Sequence, residues 1–118
     1  MTEADLLAIR QAIEQQIAAF QVNDAAAAFS QAAPSIQVEF GTAENFVRMV
    51  EAAYPPVYRP RSVVFEDLLR VEGLPAQQVM LMDQSGQLIR ATYIMQQQRM
   101  GDWKIAGCYL TPIGYSEA

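Results

Sequence analysis

The amino-acid sequence predicts an α+β domain in which three helices precede and pack on a four-stranded antiparallel sheet. Up to Tyr54, apolar residues recur at steps of three and four, the spacing of one helix face. From Ser62 onward the apolar runs are rich in β-branched and aromatic residues, as strands favour. The segments between those runs are short and rich in turn formers. A parallel return would need a crossover of about a dozen residues or more, so consecutive strands pair antiparallel.

Leu6, Ile9, Ile13, Ile17 and Phe20 fall on one face of a first helix of about five turns, with Arg10, Glu14, Gln15 and Gln16 mostly turned away. Asn23 and Asp24 precede Ala25 to Phe29, which reads as an N-cap and a short alanine-faced second helix, closed by Pro34. Ser35 to Phe40 alternates well enough for a brief extended piece. Thr42 then caps a third helix whose stripe is Phe46, Met49, Val50 and Ala53, stopped by Pro55 at about Tyr54. The stretch from Tyr54 to Arg61 contains three prolines, each fixing its own φ and biasing the residue before it away from helix. It is expected to be a stiff extended connector, with Tyr54, Pro55 and Arg59 non-helical. The strands follow as Val63 to Phe65, Val79 to Met82, Leu88 to Met95 and Trp103 to Leu110. Their turns lie at Glu72 to Pro75, Asp83 to Gly86 and Arg99 to Asp102.

At 118 residues the chain fits one domain, residues 1–118, with a single core. No apolar run approaches the roughly 18 residues of a membrane span, and no basic start leads into an apolar block, which predicts a cytoplasmic protein. Cys108 is the only cysteine and histidine is absent, so an intramolecular disulfide is excluded, and no metal site or cofactor is expected. A net charge of −5 argues against nucleic acid or an anionic membrane as partner.

Several stretches carry a family resemblance. Phe20 to Phe29, the Thr42 helix and Gly101-Asp102-Trp103-Lys104-Ile105 resemble the nuclear-transport-factor-2-like superfamily of α+β cones. More narrowly, Phe40-Gly41 through Asn45-Phe46, the segment Tyr54 to Phe65, and Trp103 to Cys108 resemble the bacterial family named domain of unknown function 4864. The resemblance implies a curved antiparallel sheet wrapped around the helices as a cone-shaped barrel, a pocket in its mouth, and often a homodimer. The superfamily includes ketosteroid isomerases and polyketide cyclases, which place an acid or base, often Asp or His, inside the cone. Here the later strands offer Met80, Met82, Arg90 and Thr92, with Tyr93, Gln96, Gln97 and Cys108, as lining candidates.

The expected ligand-binding residues are Tyr54, Tyr58, Arg59, Arg61 and Tyr93. Arg59 and Arg61 lie two apart in an extended segment, so their guanidiniums can converge on a carboxylate or phosphate. The structural alternative is an ion pair with Glu51, Glu66 or Asp67, or an arginine stacked on Tyr58. Val63, Phe65, Asp67, Leu69 and Val71 alternate on one strand face, which puts Asp67 on the core face if that face is inward. There it is either a general base or one half of a structural pair with Arg61. Asp24 is weighted toward capping, Cys108 toward a buried thiol, and Met80, Met82 and Met95 toward core.

These residues favour a noncatalytic binding module that holds an apolar or amphipathic, possibly anionic, small molecule in the cone. An isomerase or cyclase using Asp67 as base, with Tyr58 or Tyr93 as acid or oxyanion donor, is the alternative. A structural or protein-binding domain with a filled cone is a third reading. Apolar residues on both faces of the last two strands further predict a homodimer packed through the outer sheet face.

Overall fold

In the computed structural model, which describes residues 1–115, five helices lead into a four-stranded meander. Helix α1, Glu3–Gln21, starts at a capping box: Thr2 Oγ1 accepts from Asp5 N, and Thr2 N donates to Asp5 Oδ2. Of its predicted stripe, Ile9, Ile13, Ile17 and Phe20 are buried, whereas Leu6 is exposed. Asp5 also accepts from Trp103 Nε1 at 3.3 Å, so the first turn of α1 is tied to the last strand. The Thr2 amide and the Trp103 indole hold the Asp5 carboxyl below the usual carboxylate range. Helix α2, Ala25–Ser30, is capped as expected by Asp24, whose Oδ1 accepts from Ala27 N.

Two helices depart from the sequence reading. Ser35 to Phe40, expected to be extended, lies within helix α3, Pro34–Phe40. Pro34 occupies the first helical position, where a missing amide costs nothing, so it opens a helix as well as closing the segment before it. The alternation of Ile36, Val38 and Phe40 was ambiguous, because Ile36 and Phe40 are also four apart; Val38 is 83% exposed. Helix α4, Ala43–Ala53, begins at Thr42 and stops at Tyr54 as expected. Pro55–Tyr58 then forms one further turn, α5, where an extended connector was expected. Tyr54 and Arg59 are non-helical, with ψ of 54° and 72°, but two prolines at the start of a turn suit its fixed φ.

The strands are β1 (Ser62–Val71), β2 (Leu74–Met82), β3 (Gln87–Gln97) and β4 (Trp103–Tyr115), antiparallel in the order β1-β2-β3-β4. The first turn is tighter than expected, because Val71 pairs with Leu74 around Glu72 and Gly73, both at positive φ. Helices cover the inner face, where Phe65, Val79, Ala91 and Leu110 form one row and Leu68, Gln77, Tyr93 and Cys108 the next. The backbone of Ala32 and its neighbours closes on β4: Ile105 N donates to Gln31 O, and Ala33 N donates to Ile105 O, both at 2.8 Å.

Pairing shifts between Phe65 and Leu68, between Leu88 and Ile89 and between Ile94 and Met95, and the first and last of these shifts overturn expected orientations. Pairing slips between Phe65 and Leu68, so Leu68 takes the inner position and Asp67 is exposed, contrary to the expected alternation. The buried Gln77 side chain stabilises the slip by donating to Glu66 O at 3.0 Å. In β4, Met95 pairs with Ile105 and Ile94 with Gly107, leaving Ala106 extra. Trp103 and Ile105 therefore share the inner face with Cys108 and Leu110, and Tyr109 points outward instead.

The slip in β1 sets an order of sensitivity. Leu68→Ala should lower unfolding stability by about 1–3 kcal/mol, whereas Asp67→Ala should stay within about 0.5 kcal/mol of wild type. Urea denaturation checks both; the reverse order would contradict the bulge.

Candidate functional site

The inner face of the sheet is only partly filled. A half-open cavity of about 420 Å³ lies between the helices and strands β3 and β4. Its helical wall includes Ile36 and Phe40 of α3, Phe46 and Met49 of α4, and Tyr54. Its sheet wall includes Tyr93 and the bulged segment Ile105 to Cys108. The attachment of the Ala32 linker to Ile105 holds α3 beside β4 and so frames the opening. Ala32 is fully buried, and its small side chain lets the two backbones approach.

The polar groups of this cavity are few and mostly neutral. Tyr93 is 1% exposed, and its Oη is buried without a hydrogen-bond partner. Burial, and to a lesser degree the neighbouring Cys108, holds its phenol protonated well above the usual tyrosine range. Cys108, its cross-strand partner, has its thiol pushed up to about 12 by burial, so it is inert as a nucleophile. Gln16 is buried in the same wall and donates from Nε2 to Ala28 O at 3.1 Å. Glu39 stands at the exposed rim. Among the described residues, no group of three or more His, Cys, Asp or Glu side chains is placed to hold a metal ion.

Of the predicted site residues, the structure brings Tyr54 and Tyr93 together on the cavity. Tyr58 packs elsewhere, its ring 5.6 Å from that of Phe20. Arg59 serves the fold: Nη2 donates to Phe20 O at 3.0 Å and to Asn23 Oδ1 at 2.7 Å, with its guanidinium 4.8 Å from the Tyr58 ring centroid. Arg61 is exposed, so the expected convergence of the two arginines on an anion does not occur at this cavity. Asp67 lies outside the cavity as well, because the bulge turns it to solvent. Met80, Met82, Arg90 and Thr92, expected as lining, lie on the outer face because Val79 and Leu81 take the inner positions. Met95 is buried in the core.

Sequence reasoning missed Gln16 and α3. The signal for Gln16 was its spacing, since Ile9, Ile13, Gln16 and Phe20 repeat at four, three and four along one helix face. A polar residue on such a stripe must find a partner.

The outer sheet face is also apolar. Val64, Leu69 and Tyr109 are exposed there, Tyr109 by 62%, around a paired Glu66 and Arg90. Arg90 Nε and Nη2 donate to the two Glu66 oxygens at 2.8 and 3.2 Å. That pairing holds the Glu66 carboxyl below its usual range.

Helices covering one face of an open four-stranded antiparallel sheet, with a cavity left between the layers, define a cone-like α+β domain. The family described as Domain of unknown function (DUF4864) matches residues 2–115, and the chain belongs to that family. No curated protein and no solved structure matches the chain. Among the described residues no helix is long and apolar enough to cross a membrane.

Tyr93 and Cys108 both favour their protonated forms in the fold. Their contribution to stability is full below the usual thiol and phenol values, about 8.5 and 10, and is lost as the pH rises toward their raised values. The urea midpoint should therefore begin to fall above about pH 9. At about pH 8, Cys108 should react with a disulfide reagent at least about tenfold more slowly in the native protein than in urea, because its smaller thiolate fraction outweighs the greater nucleophilicity of a higher-pKa thiolate. Equal rates would show an accessible, unshifted thiol.

Proposed function

We propose that this protein is a small noncatalytic binding module with a nuclear-transport-factor-2-like cone, holding an apolar or amphipathic small molecule in the cavity between α3, α4 and the sheet. The observation that carries the reading is the pairing of apolar walls with one buried, unpartnered hydroxyl, Tyr93 Oη. Such a cavity matches the usual make-up of small-molecule sites, apolar with a few converging polar groups. The isomerase or cyclase alternative relied on Asp67 inside the cone, and Asp67 is exposed. A cavity of this size also counts against a filled cone. A bacterial cytoplasm, being reducing, fits a chain with one free thiol.

The test is native mass spectrometry after incubation with a pool of fatty acids and neutral metabolites. Retention of one ligand per chain, lost when Met49→Trp fills the cavity, is the expected outcome; no retained ligand would count against the reading.

A separate observation supports assembly. The apolar outer face has no cover among the described residues, and the paired charges on it, Glu66 and Arg90, are of opposite sign. A twofold axis beside them sets Arg90 of each copy near Glu66 of the other, so the face complements itself. We therefore propose a homodimer packed through the outer sheet face. Size exclusion with light scattering at micromolar concentration should give twice the chain mass, and Tyr109→Asp should give a monomer that keeps its far-ultraviolet spectrum. A wild-type monomer would overturn the dimer and leave the cavity reading standing.

A further inference from the structure

We propose that the cavity selects an uncharged amphiphile whose polar end is a carbonyl or hydroxyl oxygen accepting from Tyr93 Oη, and that it discriminates against the corresponding carboxylate. The inference rests on the binding-module reading above and names its ligand class.

Three features point the same way. Tyr93 is 1% exposed and lines the cavity, yet among the described residues its hydroxyl has no partner. Buried polar groups are almost always satisfied, so an orphan hydroxyl on a residue that lines a cavity is where a small shift of the wall would let a ligand atom complete the bond. The phenol stays protonated, because burial disfavours its anion, and a neutral phenol offers its proton to an acceptor oxygen. The neighbouring Cys108 thiol is likewise neutral.

Charge then narrows the class. Among the described residues that line the cavity none is Lys or Arg, and the one charged residue is Glu39 at the rim. A carboxylate drawn into these walls would lose its hydration without gaining a counter-ion, and would approach a like charge on entry. Arg59, the nearest arginine in the sequence to the wall residue Tyr54, is not part of that wall, and its Nη2 is held by Phe20 O and Asn23. An ammonium head would also lose hydration, and Glu39 is too exposed to repay much of that loss. A ketone, aldehyde, ester or alcohol carries no such cost. Its apolar body has Ile36, Phe40, Phe46 and Met49 to lie against. At about 30 Å³ per water-sized group, the cavity of about 420 Å³ holds on the order of a dozen such groups, which suits a medium-length chain.

The gap left by the missing partner also has a signature in the protein without ligand. Replacing Tyr93 by Phe removes the unpartnered hydroxyl and keeps the ring, so it should raise the urea midpoint while weakening the ligand. A hydroxyl with only a structural role would lower the midpoint when removed.

The experiment is a matched series on the full chain: 2-decanone, 1-decanol, decanoate and decylamine, titrated at about pH 7.5 and read by calorimetry and by the shift in urea midpoint. The two neutral probes should bind, with decanoate and decylamine at least about tenfold weaker. Tyr93→Phe should weaken 2-decanone by about five- to tenfold, the worth of one neutral hydrogen bond. Glu39→Gln, a rim change that should leave the fold intact, should narrow the gap between decanoate and 1-decanol without altering 2-decanone. Decanoate or decylamine binding as tightly as the neutral probes would overturn the selectivity and leave the binding module standing. So would a Tyr93→Phe protein that folds and binds 2-decanone unchanged. Failure of all four probes to bind wild type would overturn both.

Discussion

Two backbone hydrogen bonds between the Ala32 linker and Ile105 are the constraint on which the rest of the molecule depends. Strand β4 is the last of the sheet, and its outer edge would otherwise present unpaired amides and carbonyls. The linker satisfies part of that edge and in doing so fixes the start of α3, which has no side-chain cap of its own. Alanines at 32 and 33 permit this, since a larger side chain at either fully buried position would hold the backbones apart. The extra residue in β4, Ala106, sits next to the same contact and brings Trp103 and Ile105 onto the inner face. Edge protection, helix placement and the shape of the cavity thus follow from one local contact.

The cavity combines two demands that conflict. A cone lined by apolar residues would be most stable if closed by side chains, because unfilled space forfeits dispersion contacts. It would also be more stable without a buried hydroxyl that lacks a partner, a defect that typically costs about 1–3 kcal/mol. Both defects occur at one place, on the wall shared by β3 and β4, while the neighbouring core is packed by Phe20, Phe29 and Phe46 with ring centroids 5.5–6.2 Å apart. Their coincidence is the observation on which the proposed binding site rests.

Much of the fold was legible in the sequence because its signals are local. The α1 stripe, the Asp24 and Thr42 caps, and the change of period at Ser62 each depend on a few neighbouring residues. What could not be read depended on partners far along the chain. The bulge that exposes Asp67 is held by Gln77, and nothing within Val63 to Val71 reveals it. Likewise the destination of Arg59 is Phe20 O, 39 positions earlier. Helix α3 was missed for a different reason, since Pro34 can end one element or begin the next. That Tyr93 would line the cavity was legible through its type and strand, but its lack of a partner is a three-dimensional fact.

The bond between Asp5 and Trp103 joins residues 98 positions apart. The strand pairings, by contrast, are all between neighbours in sequence, with hairpin turns of a few residues. Loop closure of that length carries a large entropic barrier, while hairpins form in microseconds. The meander can therefore assemble early, and α1 completes the core only when the final strand exists. The part of α1 that packs on β4 must wait for that strand, although α2, which follows α1 directly, can pack against α1 earlier. Before α1 docks on β4 the chain exposes apolar surface that the native state covers, and such surface is what aggregation and chaperones act on.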